Sequence, residues 1–198
     1  MNTPCAKETL PDGYAAVEAV DLVKNKKQLL IVNGLAVVLA AALVLLGVLI
    51  RPQAFHELFS FRQNGLQTAC KWLVIGVGIF AYILCHEAVH GLLMWLFSHI
   101  RPSFGFSLAY AYAGSSCYFA KGAYLLIAIA PVTVWFVLLG IAALLVPSGW
   151  FWVIWLIQIM NLSGAAGDFF VFARVLRQPK TLLVQDTGTS MKFFLPQE

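Results

Sequence analysis

Four stretches of this chain are too apolar and too long for the interior elements of a small soluble domain. Residues 29–50, 72–97, 122–146 and 150–172 are almost continuously hydrophobic. Each runs close to or beyond the roughly 20 residues that a helix needs to cross a hydrocarbon core at about 1.5 Å per residue. Composition agrees. Of the 198 residues, 61% are hydrophobic and 11% are charged, against about 25% charged in an ordinary soluble domain. The expected fold class is an all-α membrane protein of about four transmembrane helices.

The segments between the runs set the organisation. Residues 1–28 form a polar lead-in, with Pro11-Asp12-Gly13 as a turn and Lys24, Lys26 and Lys27 just before the first span. Its mixed charge lacks the pattern of a cleavable signal, so none is expected. Arg51-Pro52 closes the first span. The mixed stretch 51–71, with Phe55, Leu58, Phe59 and Phe61, reads equally as a short interfacial helix or as a connecting loop. Residues 99–121 are rich in Tyr, Ser, Gly and Phe, and the short-range alternation from Phe104 to Tyr112 predicts extended structure, a hairpin or a plain loop. Pro131 interrupts the third span, Pro147-Ser148-Gly149 turns the chain into the fourth, and Arg174, Arg177 and Lys180 close that span. The chain thus divides into the lead-in 1–28, a single membrane-embedded domain 29–173 and a polar tail 174–198.

With four spans both termini share one side. That side receives Lys7, Lys24, Lys26, Lys27, Arg101, Lys121, Arg174, Arg177, Lys180 and Lys192; the other receives Arg51, Arg62 and Lys71. Ten against three places both termini, the lead-in and the tail in the cytoplasm. The net charge of +4 comes from these span-end residues and forms no basic stripe, so no nucleic-acid partner is expected. Cys5, Cys70, Cys85 and Cys117 show no Cys-x-x-Cys spacing, which argues against a disulfide framework or a thiolate zinc site.

The second span carries His86-Glu87-Ala88-Val89-His90. On a helix, positions i and i+4 share a face, so the two imidazoles can reach one ion, and Glu87 stands one step round as a base for a metal-bound water. Ionisable residues at membrane depth are by default functional. A catalytic zinc takes three protein ligands and keeps one position open. A third histidine six residues on is absent, since Leu96 stands there, and Glu198 is the one glutamate after Glu87. His99 falls on another face beyond the span, and His56 lies in the first loop. Asp186 sits in the polar tail. Asp168 remains: it and Glu87 are the acidic residues within the four spans, and the small residues Ser163-Gly164-Ala165-Ala166-Gly167 before it permit close helix approach. The competing role for Asp168 is a structural pairing with Arg174 or a backbone group. Asn161 is a candidate to bind substrate backbone, or equally a helix–helix tether.

These residues resemble the site-2 protease class of intramembrane zinc metalloproteases, which has His-Glu-x-x-His on one transmembrane helix and an aspartate, preceded by an asparagine, on a later one. More closely, the chain resembles a bacterial family of small four-span zincin peptidases of unknown function. The matching features are His86 through Gly91, Pro131, Gly167-Asp168 and Leu10-Pro11-Asp12-Gly13-Tyr14. Unlike the wider class, small residues rather than a proline-rich motif precede Asp168, and Phe169 follows it. The resemblance implies an enzyme of the bacterial inner (cell) membrane. It would be a Zn2+-dependent metalloendopeptidase cleaving membrane-protein or peptide substrates, with His86, His90 and Asp168 on the metal and Glu87 catalytic. The extended segment from Phe104 to Tyr112 is a candidate to hold the substrate by strand addition. Two rivals remain in view: a non-catalytic metal-binding protein with a structural or regulatory role, and a transporter fragment, which the lack of an inverted repeat disfavours.

Overall fold

A computed structural model describes residues 5–21, 25–106 and 111–197, with the side chains of 61–64 outside the description. In chain order the elements are β1 (Ala6–Lys7), β2 (Tyr14–Val20), α1 (Lys26–Ile50), α2 (Pro52–Glu57), α3 (Phe61–Ser98), β3 (Ser103–Phe106), β4 (Ala111–Gly114), β5 (Tyr118–Ala120), α4 (Lys121–Leu145), α5 (Phe151–Gly164), α6 (Ala166–Leu176), β6 (Leu183–Asp186) and β7 (Met191–Pro196). Among the described residues four segments are long and apolar enough to cross a membrane: Lys26–Ile50, Gly65–Ser98, Lys121–Leu145 and Ser148–Leu176. This is compatible with a membrane protein. Stretch 51–71 is helical on both sides of a short break, as α2 and the first turns of α3.

The fold is mixed α/β, which corrects the all-α expectation. β1, β5, β6, β7 and β2 lie side by side in that order in one antiparallel sheet, and β3 pairs with β4 in a second. The polar lead-in and tail supply four of the five strands in the larger sheet. A strand of two to seven residues has no stability alone; it forms when partners distant in the chain supply the ladder and a covered face. Here β7 pairs with both β6 and β2, joining the last residues to the first: Tyr14 lies opposite Pro196 and Val20 opposite Met191. The hairpin expected between the second and third spans is present as β3–β4, with Phe104 opposite Ala113 and Phe106 opposite Ala111. Ser107, Leu108, Ala109 and Tyr110 of the expected extended segment lie outside the described residues, as does Lys24 of the basic count.

By its packing the chain resolves into two compact units. One comprises Met1–Val32, Cys85–Pro131 and Gly167–Glu198; the other comprises Asn33–Leu84 and Val132–Ala166. The first contains both sheets and a single core in which Phe119, Val184 and Phe193 of the larger sheet meet Met94 of α3, Tyr124 and Ile127 of α4, and Val171 and Val175 of α6. The second is helical, with Trp152 and Val153 of α5 packed among Ala54, Leu58, Ile75 and Ala143.

The first unit depends on one close approach. The β6–β7 turn uses Gly188 at φ +82°, in the left-handed region that glycine enters without strain. β4 ends against that turn at Gly114, where a Cβ would stand 2.3 Å from the Thr187 carbonyl oxygen. Backbone cannot yield as a side-chain tip can. Gly114→Ala should therefore cost about 1–3 kcal/mol as an overpacked contact, read as a lowered thermal unfolding midpoint in detergent with faster proteolysis of residues 103–114.

Candidate metal centre

α3 places His86 and His90 one turn apart on one face, with ring centroids 4.9 Å apart. Both are buried. The third group arrives by a helix break: α5 ends where Ala165 leaves helical geometry (φ −83°, ψ 16°), and α6 restarts at Ala166. Asp168 thereby falls in the first turn of α6, where the exposed N–H groups favour a carboxylate. The run of small residues contains the interruption, and Ala165 and Ala166 within it are buried.

Asp168 faces both histidines. Its Oδ2 lies 3.2 Å from His86 Nε2 and its Oδ1 lies 3.5 Å from His90 Nε2. Among the described residues these three form the group that could hold a metal ion, one atom from each lying within 4.8 Å of the others. Two zinc bonds of about 2.0–2.2 Å at a tetrahedral angle set donor atoms roughly 3.3 Å apart, so the spacing fits. The donor chemistry fits as well. His90 Nδ1 lies 2.9 Å from the Ile127 carbonyl oxygen, which only accepts, so Nδ1 carries the hydrogen. A neutral ring then presents a bare Nε2 to a carboxylate oxygen, and either a second ring proton or a metal ion between them satisfies both. Arg174 is engaged elsewhere: its Nη2 is 3.0 Å from Glu18 Oε1.

Glu87 points from the neighbouring face of α3 to the smaller sheet, where its Oε2 accepts the Ala113 N–H at 2.8 Å. That N–H therefore points away from β3, and by antiparallel alternation the main chain of Ala111 does too. Glu87, His90, Ala113, Tyr124, Asp168 and Asp186 are among the residues lining a cavity of about 120 Å³.

Asp186 and Tyr124 are residues that sequence reasoning missed. Asp186 is buried at the end of β6. Its Oδ2 accepts the Tyr124 hydroxyl at 2.6 Å, its Oδ1 accepts the Gly188 N–H at 2.8 Å, and its carbonyl accepts the Ser115 N–H at 2.7 Å. The pair thus ties α4, the β6–β7 turn and the end of β4 together at the cavity. The signal was a pair of apolar runs, 182–184 and 193–195, around Asp-Thr-Gly-Thr-Ser, which is a hairpin pattern. Asn161 belongs to the other unit. It is fully buried, with Oδ1 accepting the Tyr82 hydroxyl at 3.1 Å and Nδ2 donating to the Val132 carbonyl at 3.2 Å.

Burial pushes the Asp186 carboxyl above the usual value of 3.8, while the Tyr124 and Gly188 donors pull the other way. A carboxyl whose folded value is raised keeps its proton longer in the folded protein. The stability it contributes is full below 3.8 and is lost as pH rises through the raised value. Thermal midpoints of metal-free protein should therefore fall as pH rises from about 3.8 to the raised value and level off above it, and Asp186→Asn should flatten the fall. Metal analysis supplies a second expectation: about one zinc per chain in wild type, lost in His86→Ala, His90→Ala and Asp168→Ala.

Comparison with known proteins adds a family. The model of a family described as "Putative zincin peptidase" matches residues 79–183, 105 of the 198 residues, a stretch that holds His86, Glu87, His90 and Asp168. No curated protein and no solved structure matches the chain.

Proposed function

The chain belongs to the zincin peptidase family, and we propose that it is a zinc-dependent intramembrane metallopeptidase hydrolysing peptide bonds in membrane-associated substrates. The observation that carries this reading is the convergence of two imidazole nitrogens from α3 on the Asp168 carboxylate at 3.2 and 3.5 Å. The four helices long and apolar enough to span a membrane support the intramembrane setting. The ten-to-three excess of basic residues supports cytoplasmic termini, and likeness to a bacterial family supports the inner membrane.

In this reading His86, His90 and Asp168 hold Zn2+. When bound, the ion supplies Lewis-acid polarisation of the scissile carbonyl and lowers the pKa of the attacking water. Glu87 takes the proton from that water and delivers it to the leaving amine, after its carboxylate leaves the Ala113 N–H. The outward edge of β4 holds the substrate. An extended peptide that pairs with Ala111 and Ala113 gains main-chain hydrogen bonds and is kept out of the helical conformation that would hide its carbonyls. The same pairing takes over the N–H that Glu87 now occupies, so substrate docking and release of the base are one event.

The test is hydrolysis of a quenched fluorescent peptide pool by the zinc-loaded protein in detergent. Glu87→Gln should retain zinc, because it leaves the three ligands in place, and should lower turnover by about 10²–10⁴-fold or more. A fully active Glu87→Gln protein would remove the proposed mechanism. A non-catalytic metal-binding role is the second reading, favoured by the hydrogen bond that commits Glu87 to the hairpin. It predicts a zinc-loaded wild type without hydrolytic activity, in which Glu87→Ala loosens β4 and nothing else.

A further inference from the structure

We propose that Pro131 is a positioning residue for the metal. By withholding an N–H from α4 it leaves the Ile127 carbonyl to His90, and so aims His90 Nε2 at the ion. The inference rests on the zinc site of the reading above.

In an α-helix the carbonyl of residue 127 meets the N–H of residue 131. Residue 131 is a proline inside α4, which has no N–H to offer and whose ring crowds the carbonyl four residues back. Ile127 is 0% exposed, so water does not take up the freed oxygen, and a buried carbonyl without a donor is costly. His90 supplies the donor, its Nδ1 lying 2.9 Å away. The consequence falls on the other ring nitrogen. An imidazole that donates from Nδ1 has its lone pair on Nε2, and Nε2 is the atom 3.5 Å from Asp168 Oδ1. A hydrogen bond of this kind fixes both the tautomer and the ring plane of a metal-bound histidine. With an ordinary residue at 131, the helix-held N–H would share the carbonyl with His90, crowding and weakening the bond that holds the ring.

Pro131 is thus a departure from helical bonding whose benefit appears only at the site. An interior proline is unfavourable to a helix compared with alanine. Replacing it should therefore leave the metal-free protein as stable or more stable while weakening the site. A purely structural proline would move both quantities together.

The experiment compares full-length wild type and Pro131→Ala in detergent, measuring thermal midpoints without metal and zinc affinity by chelator competition. Expected is a loss of about 10–100-fold in zinc affinity with an unchanged or raised metal-free midpoint. Equal affinity, or a midpoint that falls in step with affinity, overturns the inference. Nitrogen-15 spectra of zinc-loaded wild type test it without a variant: His90 should be protonated at Nδ1, and a ring protonated at Nε2 overturns it even where Pro131→Ala does not fold. Wild type that binds no zinc would overturn the peptidase reading together with this one. Zinc bound equally by both proteins would overturn this one alone.

Discussion

A carboxylate held between two imidazole nitrogens is the constraint around which the first unit is arranged. Asp168 stands 3.2 and 3.5 Å from two Nε2 atoms, a spacing at which either ring protons or a metal ion can join the three groups. Each side chain reaches that point by a different device: the helical repeat for the histidines, a helix restart for Asp168, and a main-chain carbonyl for the orientation of His90. Two departures from regular helix meet there. α5 stops and α6 begins two residues before Asp168, and α4 contains a proline. Irregularities of this sort weaken local structure and persist where neighbouring packing compensates. The core shared by α3, α4, α6 and the larger sheet provides that packing.

On the proposed reading, the smaller sheet would favour an extended peptide as substrate. A metal ligand set on apolar helices would face helical segments, whose carbonyls are already bonded. Beside it stands β4, with Ala113 turned outward and Ala111 along the cavity. The β6–β7 turn stays in place behind β4 because Asp186 accepts from Tyr124 and Gly188, while its own carbonyl accepts from Ser115. The tail thus closes the cavity that the apolar spans open.

Several residues were legible in the sequence for simple reasons. His86 and His90 share a helix face at i and i+4, and Asp168 follows by elimination among few acidic residues. The polar elements were harder to read. A stretch such as Leu183–Asp186 is four residues long and forms a strand only when β5 and β7 flank it. The same limit hid Asp186: in a polar tail an aspartate looks solvated, and only the pairing that buries β6 turns it toward the cavity. Pro131 was visible as an interruption of the third span, but the carbonyl it frees has meaning only once His90 stands opposite.

The sequence by itself determined the four apolar helices, the two histidines and the carboxylates available to join them, because helical periodicity and the cost of charge in apolar surroundings act locally along the chain. Tertiary structure decided the mixed α/β architecture, the burial of Asp186 against Tyr124, the docking of β4 on Glu87 and the hydrogen bond that orients His90. Those depend on groups tens to well over a hundred residues apart, whose meeting is set by the pairing of short strands and by packing, and neither leaves a periodic trace in the chain.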